Sequence, residues 1–373
     1  MAEPVISFAA TEEMGLIRST ARDFLEDRLS LGVVRDLMMS EDGFDRSLWK
    51  EMADMGWTGL MIEEEHGGAG FGLVEASVVL EEMGRLVTPG PYFASAVLAT
   101  TAVNLIGTDD QRLELLSGMA SGDRVVTLAM HEDPRDWGFQ RISTSARQHG
   151  SDWIIDGVKE HVLDGHFADT FLVLARIGEG AVGLFVVDGD SVEATQMPVL
   201  DPTRRQATVR LADVRVPQAS LLGGAPVGDR LGTVLAIGSA ALAIEQVGGA
   251  QRCLEMSVDY AKTRYQFGRP IGSYQSVKHR CAEMLVKVEH ARSVAYHAVR
   301  SEGDELRVAS PLAASVASEA FVWSAGETIQ IHGGIGFTWE HDAHLYLKRA
   351  KSSSLLLGDA RYQRDLLGRA LGI

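Results

Sequence analysis

Hydrophobic and polar positions divide the chain into three blocks of different periodicity. Between residues 12 and 29, apolar side chains recur three and four positions apart, which predicts one face of an amphipathic helix. Two further helices are predicted over 77–86 and 109–119, and the glycines between residues 67 and 70 predict a loop ahead of them. The first block therefore has the pattern of a helical domain that ends near residue 122.

The second block has the shorter period of β-strands. Two β-rich runs, 170–175 and 182–187, flank a glycine-rich turn at 178–180, which predicts a hairpin. Alternating apolar residues between positions 209 and 217 predict another strand. Because no long helix is predicted in this block, a βαβ dinucleotide-binding fold is not expected.

The last block is helical again. Its apolar periodicity predicts four helices, over 231–265, 275–300, 311–330 and 341–355. Helices of this length with short breaks predict an antiparallel four-helix bundle. The expected fold is of the α+β class, with an N-terminal helical domain (1–122), a middle β-domain (123–226) and a C-terminal four-helix bundle (227–373).

Composition limits the partners and the compartment. The 373 residues include 35 Lys and Arg against 51 Asp and Glu, a formal charge of −16, which repels nucleic acid and anionic membranes. Two cysteines are too few for a disulfide framework and indicate a reducing compartment. Neither a signal peptide nor a stretch of about 20 apolar residues is found, so we expect a cytoplasmic protein without a membrane partner.

The most informative segment is YAKTRYQFGRPI at positions 260–271. Arg264 lies one turn before Phe267 at the end of a predicted helix, and Gln275 follows once the chain has turned at Gly268 and Pro270. A guanidinium pairs with phosphate oxygens, and an aromatic ring packs on a flat heterocycle. This corner is therefore suited to a phosphate or diphosphate group, although Arg264 could also be a surface ion-pair partner.

A second segment, QIHGG at 330–334, ends a predicted helix in two glycines. Gly333 and Gly334 have no Cβ, so backbone amides there can approach a phosphate closely. The alternative is that these glycines form an ordinary helix C-cap. The two segments, 66 residues apart from Arg264 to Gln330 (330 minus 264), are much more specific together than either is alone.

These two segments resemble those of the acyl-CoA dehydrogenases, and the resemblance covers nearly the whole chain. It includes the glycine loop at 67–70, EEMGR at 81–85 and VRVP at 214–217. In that family, FAD lies across a dimer interface, and one subunit holds the adenosine diphosphate half of its neighbour's cofactor. The resemblance implies that this role falls to Arg264, Phe267, Gln275, Gln330, Ile331, His332, Gly333 and Gly334.

The chain departs from the family at the catalytic base. A carboxylate is needed over the α-carbon, because the α-proton of a thioester is weakly acidic. At the usual position of that glutamate the sequence has Leu357, and at the rarer position, on the helix before the RxxFG motif, it has Gly238. Asp359 and Glu340 are poor substitutes, whereas Glu245 lies two turns beyond Gly238 on the same helix face. We therefore expect no catalytic residue in this chain, with Glu245 as the alternative base.

The middle domain departs from the family as well. The family's flavin-wrapping loop corresponds here to residues 130–136, beginning Met130-His131-Glu132. The tryptophan and threonine that contact the flavin ring correspond to His161 and Leu163. The half-site for the ring is thus degraded. No His, Cys or Asp cluster has the spacing of metal ligands, so no metal is expected.

Both losses favour a subunit that needs a partner. Heteromeric α2β2 acyl-CoA dehydrogenases of actinobacteria act on steroid side-chain CoA thioesters, and this chain resembles their base-less subunit, including its DPTRR segment at 201–205. The resemblance implies a homologous partner subunit with the glutamate, an acyl-CoA substrate from steroid or cholesterol β-oxidation, and a soluble electron carrier. Two alternatives stay open: a self-sufficient homo-oligomer that uses Glu245, and a non-enzymatic acyl-CoA-binding homologue.

Overall fold

The computed structural model describes residues 12–133, 136–139, 141–178 and 180–373. The helices in this part of the chain are α1 (Glu12–Arg28), α2 (Leu31–Met39), α3 (Arg46–Asp54), α4 (Leu73–Arg85), α5 (Thr100–Ile106), α6 (Asp109–Ala120), α7 (Arg230–Thr263), α8 (Gln275–Ala298), α9 (Gly303–His332), α10 (Ala343–Ser353) and α11 (Ala360–Ala370). The strands are β1 (Val126–Ala129), β2 (Ser145–His149), β3 (Asp152–Leu163), β4 (Thr170–Ile177), β5 (Ala181–Asp188), β6 (Glu193–Gln196), β7 (Gln206–Pro217), β8 (Tyr265–Gln266) and β9 (Arg269–Pro270). This order of helices, strands and helices confirms the predicted α+β class.

The chain folds into two compact units that do not follow the sequence order. The helical unit contains the residues up to Asp36, Ser77–Thr88 and Ser239–Ile373. The sheet unit contains Leu37–Ala76 and Pro89–Gly238. The domain boundaries near residues 122 and 226 stay a prediction.

In the helical unit, α9 packs against α8, α10 and α11. Helices α4 and α7 cross at close range because each has a glycine at the crossing. A Cβ on Gly84 would lie 2.0 Å from the carbonyl oxygen of Glu245, and one on Gly248 would lie 2.0 Å from that of Glu81. Any larger residue would force these helices apart, because two backbones cannot approach so closely across a side chain.

The C-terminal helices differ from the prediction in two respects. A fifth helix, α11, follows the four that were expected, and its first turn is capped by the side chain of Asp359. Helix α9 begins at Gly303, eight residues before Pro311, which lies buried inside it. A proline removes one helical hydrogen bond, and here it does so without ending the helix.

Among its residues that the structure describes, the sheet unit carries seven strands. Strands β4 and β5 pair antiparallel from Thr170↔Asp188 to Ile177↔Ala181, which confirms the predicted hairpin. Strand β4 also pairs in parallel with β1 and β2, and the long strands β3 and β7 pair antiparallel. The β3–β7 register shifts between Lys159 and Val162, where His161 has a φ of 57°. This irregularity turns the local strand direction, as β-bulges do.

Helix α7 is long and apolar enough, by length and composition, to cross a membrane. The expectation that no stretch meets this criterion is therefore wrong. The apolar window of α7 is 72% buried inside the structure, as in the core helix of a globular unit.

Candidate functional site

A tight hairpin follows the end of α7. Strands β8 and β9 are joined by the two residues Phe267 and Gly268, whose φ angles are 51° and 79°. Two consecutive positive φ angles are typical of a type I′ turn, in which asparagine, aspartate or glycine is the usual first residue. A phenylalanine in this position is conformationally costly, and outliers of this kind concentrate at functional sites.

The hairpin is fixed to the start of α8. The Ile271 amide donates to the carbonyl oxygen of Arg264 at 2.8 Å, and the Tyr274 hydroxyl donates to that of Gln266 at 3.1 Å. The guanidinium of Arg269 lies 4.0 Å from the centre of the Tyr274 ring. These contacts leave Arg264 exposed and Phe267 92% exposed at the tip. The hairpin thus presents a cation and an aromatic ring to solvent.

The first turn of α8 adds hydrogen-bond donors to the same corner. Helix α8 begins at Gln275, and its N-cap residue, Tyr274, makes no side-chain capping bond. The first amides of a helix have no partner within it, and they carry partial positive charge. Sequence reasoning missed this feature, although an aromatic residue at the N-cap position could have indicated it.

Gly333, directly after α9, has the second of the two roles that its sequence predicts. Gly333 has a φ of 64°, and its amide donates to the carbonyl oxygens of Gln330 and Ile329, so it caps the C-terminus of α9. The end of a helix at which carbonyls are exposed repels anions. The idea that the Gly333 amide faces a phosphate is therefore wrong, and the C-cap alternative is confirmed. Both Gly333 and Gly334 are exposed, with open space where a Cβ would lie.

The structure brings the two predicted segments together. The rings of Tyr260 and His332 stack with centroids 4.3 Å apart, and the Ser257 hydroxyl donates to the Thr328 hydroxyl at 3.1 Å. The ends of α7 and α9 are therefore neighbours. Among the predicted ligand-binding residues, five lie exposed in addition to Phe267: Arg264, Gln275, Gln330, Gly333 and Gly334. The side chains of Ile331 and His332 are buried, so that they offer a ligand little more than their backbone.

The positions expected for a base hold no free carboxylate. Leu357 has a φ of 57°, and its carbonyl oxygen accepts a bond from the Gln363 side chain at 2.7 Å. Asp359 accepts from the Tyr362 amide at 2.8 Å as the cap of α11. Glu245 is 4% exposed and accepts from the guanidinium of Arg349 at 2.9 Å. A paired, buried glutamate of this kind is a structural group, which disfavours Glu245 as the base.

The carboxylate of Glu132, which follows β1 in the sheet unit, accepts several hydrogen bonds. Glu132 accepts from Lys159 Nζ at 2.6 Å, from the Ser143 amide at 2.6 Å and from the Thr144 amide at 3.0 Å. Burial alone would raise the pKa of Glu132, but these bonds outweigh it and lower the pKa to about 2. Burial lowers the pKa of Lys159 to about 8, against the effect of its bond to Glu132. The pair is therefore ionised at neutral pH.

Two histidines lie beside this pair. The Nδ1 atom of His161 is 2.7 Å from the side-chain oxygen of Gln206, and because that oxygen only accepts, Nδ1 carries the proton. Burial, and then the charges of His161 and Lys159, lower the pKa of His131 to about 4, so that its ring is neutral at pH 7. Among the described residues, no group of three His, Cys, Asp or Glu side chains could hold a metal ion.

Replacing Glu132 by glutamine is expected to lower stability at neutral pH, by up to about 3 kcal/mol, because the charge of Glu132 no longer offsets the burial of the Lys159 amine, which must stay charged without a counter-charge or give up its proton. The lowered pKa of Glu132 means that its contribution is complete above pH 4.5 and is lost as the pH falls toward 2. The difference in urea midpoint between wild type and variant should therefore shrink below pH 4.5. A constant difference at pH 7, 5 and 3.5 would contradict this, and Glu193→Gln, in exposed β6, is the matched control.

Comparison with protein families identifies two matching models. The model described as "Acyl-CoA dehydrogenase, N-terminal domain" matches residues 11–123, and the model described as "Acyl-CoA dehydrogenase, C-terminal domain" matches residues 230–372. Among curated proteins, acyl-CoA dehydrogenase IpdE2 of Mycolicibacterium smegmatis is 37% identical over 95% of this chain and 97% of its own length. IpdE2 of Mycobacterium tuberculosis is 33% identical, over 94% of each chain.

Solved structures agree with these matches. A variant of the Tcur3481-Tcur3483 steroid ACAD superposes with a TM-score of 0.88 at 30% identity, covering 97% of this chain and 98% of that one. A chain of the ChsE4-ChsE5 complex from Mycobacterium tuberculosis superposes with a TM-score of 0.90 at 28% identity, covering 98% and 99%.

Proposed function

Because this chain belongs to the acyl-CoA dehydrogenase family, we propose that it is the subunit that completes the FAD site of a homologous partner without supplying the catalytic base. FAD is the cofactor of this family. The observation that carries the proposal is the exposed corner of Arg264, Phe267 and the first turn of α8, in a chain that has Leu357 at the usual position of the base.

The chemistry of the corner suits the adenosine diphosphate half of FAD. Arg264 and the first amides of α8 would hold the diphosphate through charge-assisted hydrogen bonds. The exposed ring of Phe267 would pack on a flat heterocycle, and the amides of Gln275 and Gln330 can both donate and accept. These groups all face solvent, so that they are available to a cofactor bound mainly by another subunit.

The reaction requires groups that this chain lacks. When bound, FAD supplies the acceptor for the β-hydrogen, which leaves as a hydride. The α-proton must pass to a carboxylate, and neither Leu357 nor Gly238 can accept it. In this chain the residues of the corner would bind and orient the cofactor, and the partner subunit would supply the carboxylate.

The proposed assembly is an α2β2 heterotetramer with one FAD per heterodimer. Its support is the similarity to chains of the ChsE4-ChsE5 complex and of the Tcur3481-Tcur3483 steroid ACAD. By the same similarity, we infer that the substrate is a CoA thioester from steroid or cholesterol β-oxidation, dehydrogenated in the cytoplasm with electrons passed to a soluble carrier. The similarity to the two IpdE2 proteins, which are acyl-CoA dehydrogenases, supports the reaction type of this proposal.

Two other functions have less support. A self-sufficient homo-oligomer would need Glu245 as its base, and this carboxylate is buried against Arg349. A non-enzymatic acyl-CoA-binding homologue would have no use for a rigid hairpin that presents Arg264 and Phe267.

Expression with and without a partner tests the proposal. We expect this chain to be colourless when purified alone, and yellow when it is co-purified with a homologous subunit that has the family glutamate. The measurements are the visible flavin spectrum and the native mass of each sample. A yellow homo-oligomer with one FAD per chain would overturn the proposal.

A further inference from the structure

A stack of three aromatic rings underlies the cofactor corner. His332 contacts Tyr260, whose ring is stacked on it with a centroid distance of 4.3 Å and an interplanar angle of 28°, and His341, whose ring is tilted by 48° with a centroid distance of 4.2 Å. The three residues come from the last turns of α7, the last residue of α9 and the turn before α10. The His332 ring thus contacts one residue from each of the other two segments, in addition to the Ser257–Thr328 hydrogen bond that joins α7 and α9.

We propose that His332 is a positioning residue for this corner, which sets the separation between Arg264 and the segment from Gln330 to Gly334. The inference rests on the proposed function. The Arg264 amide donates to the carbonyl oxygen of Tyr260 at 2.8 Å, so the Tyr260 ring is one turn from the guanidinium. On the other side, His332 directly precedes the capping residue Gly333. Moving the His332 ring would therefore move both Arg264 and the segment from Gln330 to Gly334.

The hydrogen bonds of the stack fix a donor nitrogen on His332 and require the ring of His341 to be neutral. Nδ1 of His332 lies 2.7 Å from the carbonyl oxygen of Thr328, so this nitrogen donates. Nδ1 of His341 accepts from the Ala343 amide at 3.1 Å, so it carries no proton. Protonation at this nitrogen would break that bond and place a cation at the N-terminus of α10, which a helix dipole disfavours.

Protonation would also charge two rings that lie 4.2 Å apart. Burial, and then the neighbouring His341, lower the pKa of His332, while the bond to Thr328 opposes them. Burial also lowers the pKa of His341; Asp342 opposes the shift and Arg35 adds to it. Because the folded state lowers the pKa of both rings, protonation is coupled to loosening of the stack as the pH falls below the ordinary histidine value of about 6.5.

The test uses the assembled complex with FAD bound and measures FAD release by the rise in flavin fluorescence. For His332→Ala, which removes the stack, we expect FAD retention at pH 7.5 to fall about tenfold. For His332→Phe, which keeps a stacking ring that cannot ionise, we expect retention to recover most of that loss. The wild type should release FAD faster at pH 5.5 than at pH 7.5, and His332→Phe should reduce this ratio.

The outcomes separate this inference from the proposed function. His297→Ala, an exposed histidine at the end of α8, is the matched control and should behave as wild type. If His332→Ala retains FAD as wild type does, or if His332→Phe keeps the full pH ratio, the inference is wrong while the proposed function stands. If Arg264→Ala also leaves retention unchanged, the proposed function itself fails. If His332→Ala does not fold, the ratio of the FAD release rates of His332→Phe at pH 5.5 and pH 7.5 still tests the inference.

Discussion

Replacing Arg264 by alanine is expected to remove FAD from the assembled complex while the complex itself stays intact. The side chain is exposed, and within the part of the chain that the structure describes it forms no ion pair, so its loss removes nothing from the fold. A hydrogen bond to a charged group contributes about 1.5–3 kcal/mol, so FAD should bind roughly 10- to 100-fold more weakly. The measurement is the flavin content of the purified complex after dialysis.

Two control variants make this result specific. Arg264→Lys keeps the charge but loses the planar fork, and it should retain an intermediate amount of FAD. Arg307→Ala removes another exposed arginine, from α9, and should leave the flavin content unchanged. If Arg264→Ala has the flavin content of the wild type, Arg264 does not bind FAD. It is then an ordinary surface residue, which is the alternative given in the sequence analysis.

Replacing Glu245 by glutamine is expected to destabilise the protein rather than to stop its chemistry. The change removes the Glu245 carboxylate from the Arg349 guanidinium, whose residue is 2% exposed, while the carbonyl oxygens of Val87 and Thr88 still accept from it. Breaking one side of a buried ion pair costs about 3–5 kcal/mol. The measurement is the urea midpoint of the variant, together with the activity per folded molecule in the complex.

The double variant Glu245→Leu with Arg349→Met is the matched control for this prediction. It removes both charges from the helical unit, so it should recover much of the stability that the single variant loses. Normal stability in Glu245→Gln together with a loss of activity would instead assign Glu245 as the base, and the homo-oligomeric alternative would then be favoured.

The sequence predicted best what depends on strong local periodicity. The β4–β5 hairpin and helices α1, α6, α7 and α8 lie close to their expected bounds. Helix α9 was predicted too short, since Pro311 looks like a helix start although the helix continues through it. Helices α2 and α3 and the π-helical segment Tyr92–Ala99 were missed. The last of these is buried throughout, so it shows no alternation of polar and apolar positions.

The candidate site was predictable in its residues but not in their roles. RxxF and QIHGG could be recognised as a pair, and the Tyr260–His332 stack does place them together. The glycines alone could not predict which helix end faces an anion. Glycine serves equally at a helix C-cap, such as Gly333, and beside a phosphate. The burial of Glu245 against Arg349 depends on a contact between residues 104 positions apart, which local spacing cannot predict.

By the proposed function, this chain binds part of its partner's FAD and has no complete active site of its own. Native mass spectrometry of the complex with its homologous subunit, which counts subunits and FAD together, tests that claim most directly. We expect an α2β2 mass with two FAD molecules, one for each heterodimer. Four FAD molecules per tetramer, or a stable homo-oligomer of this chain with one FAD per subunit, would contradict it.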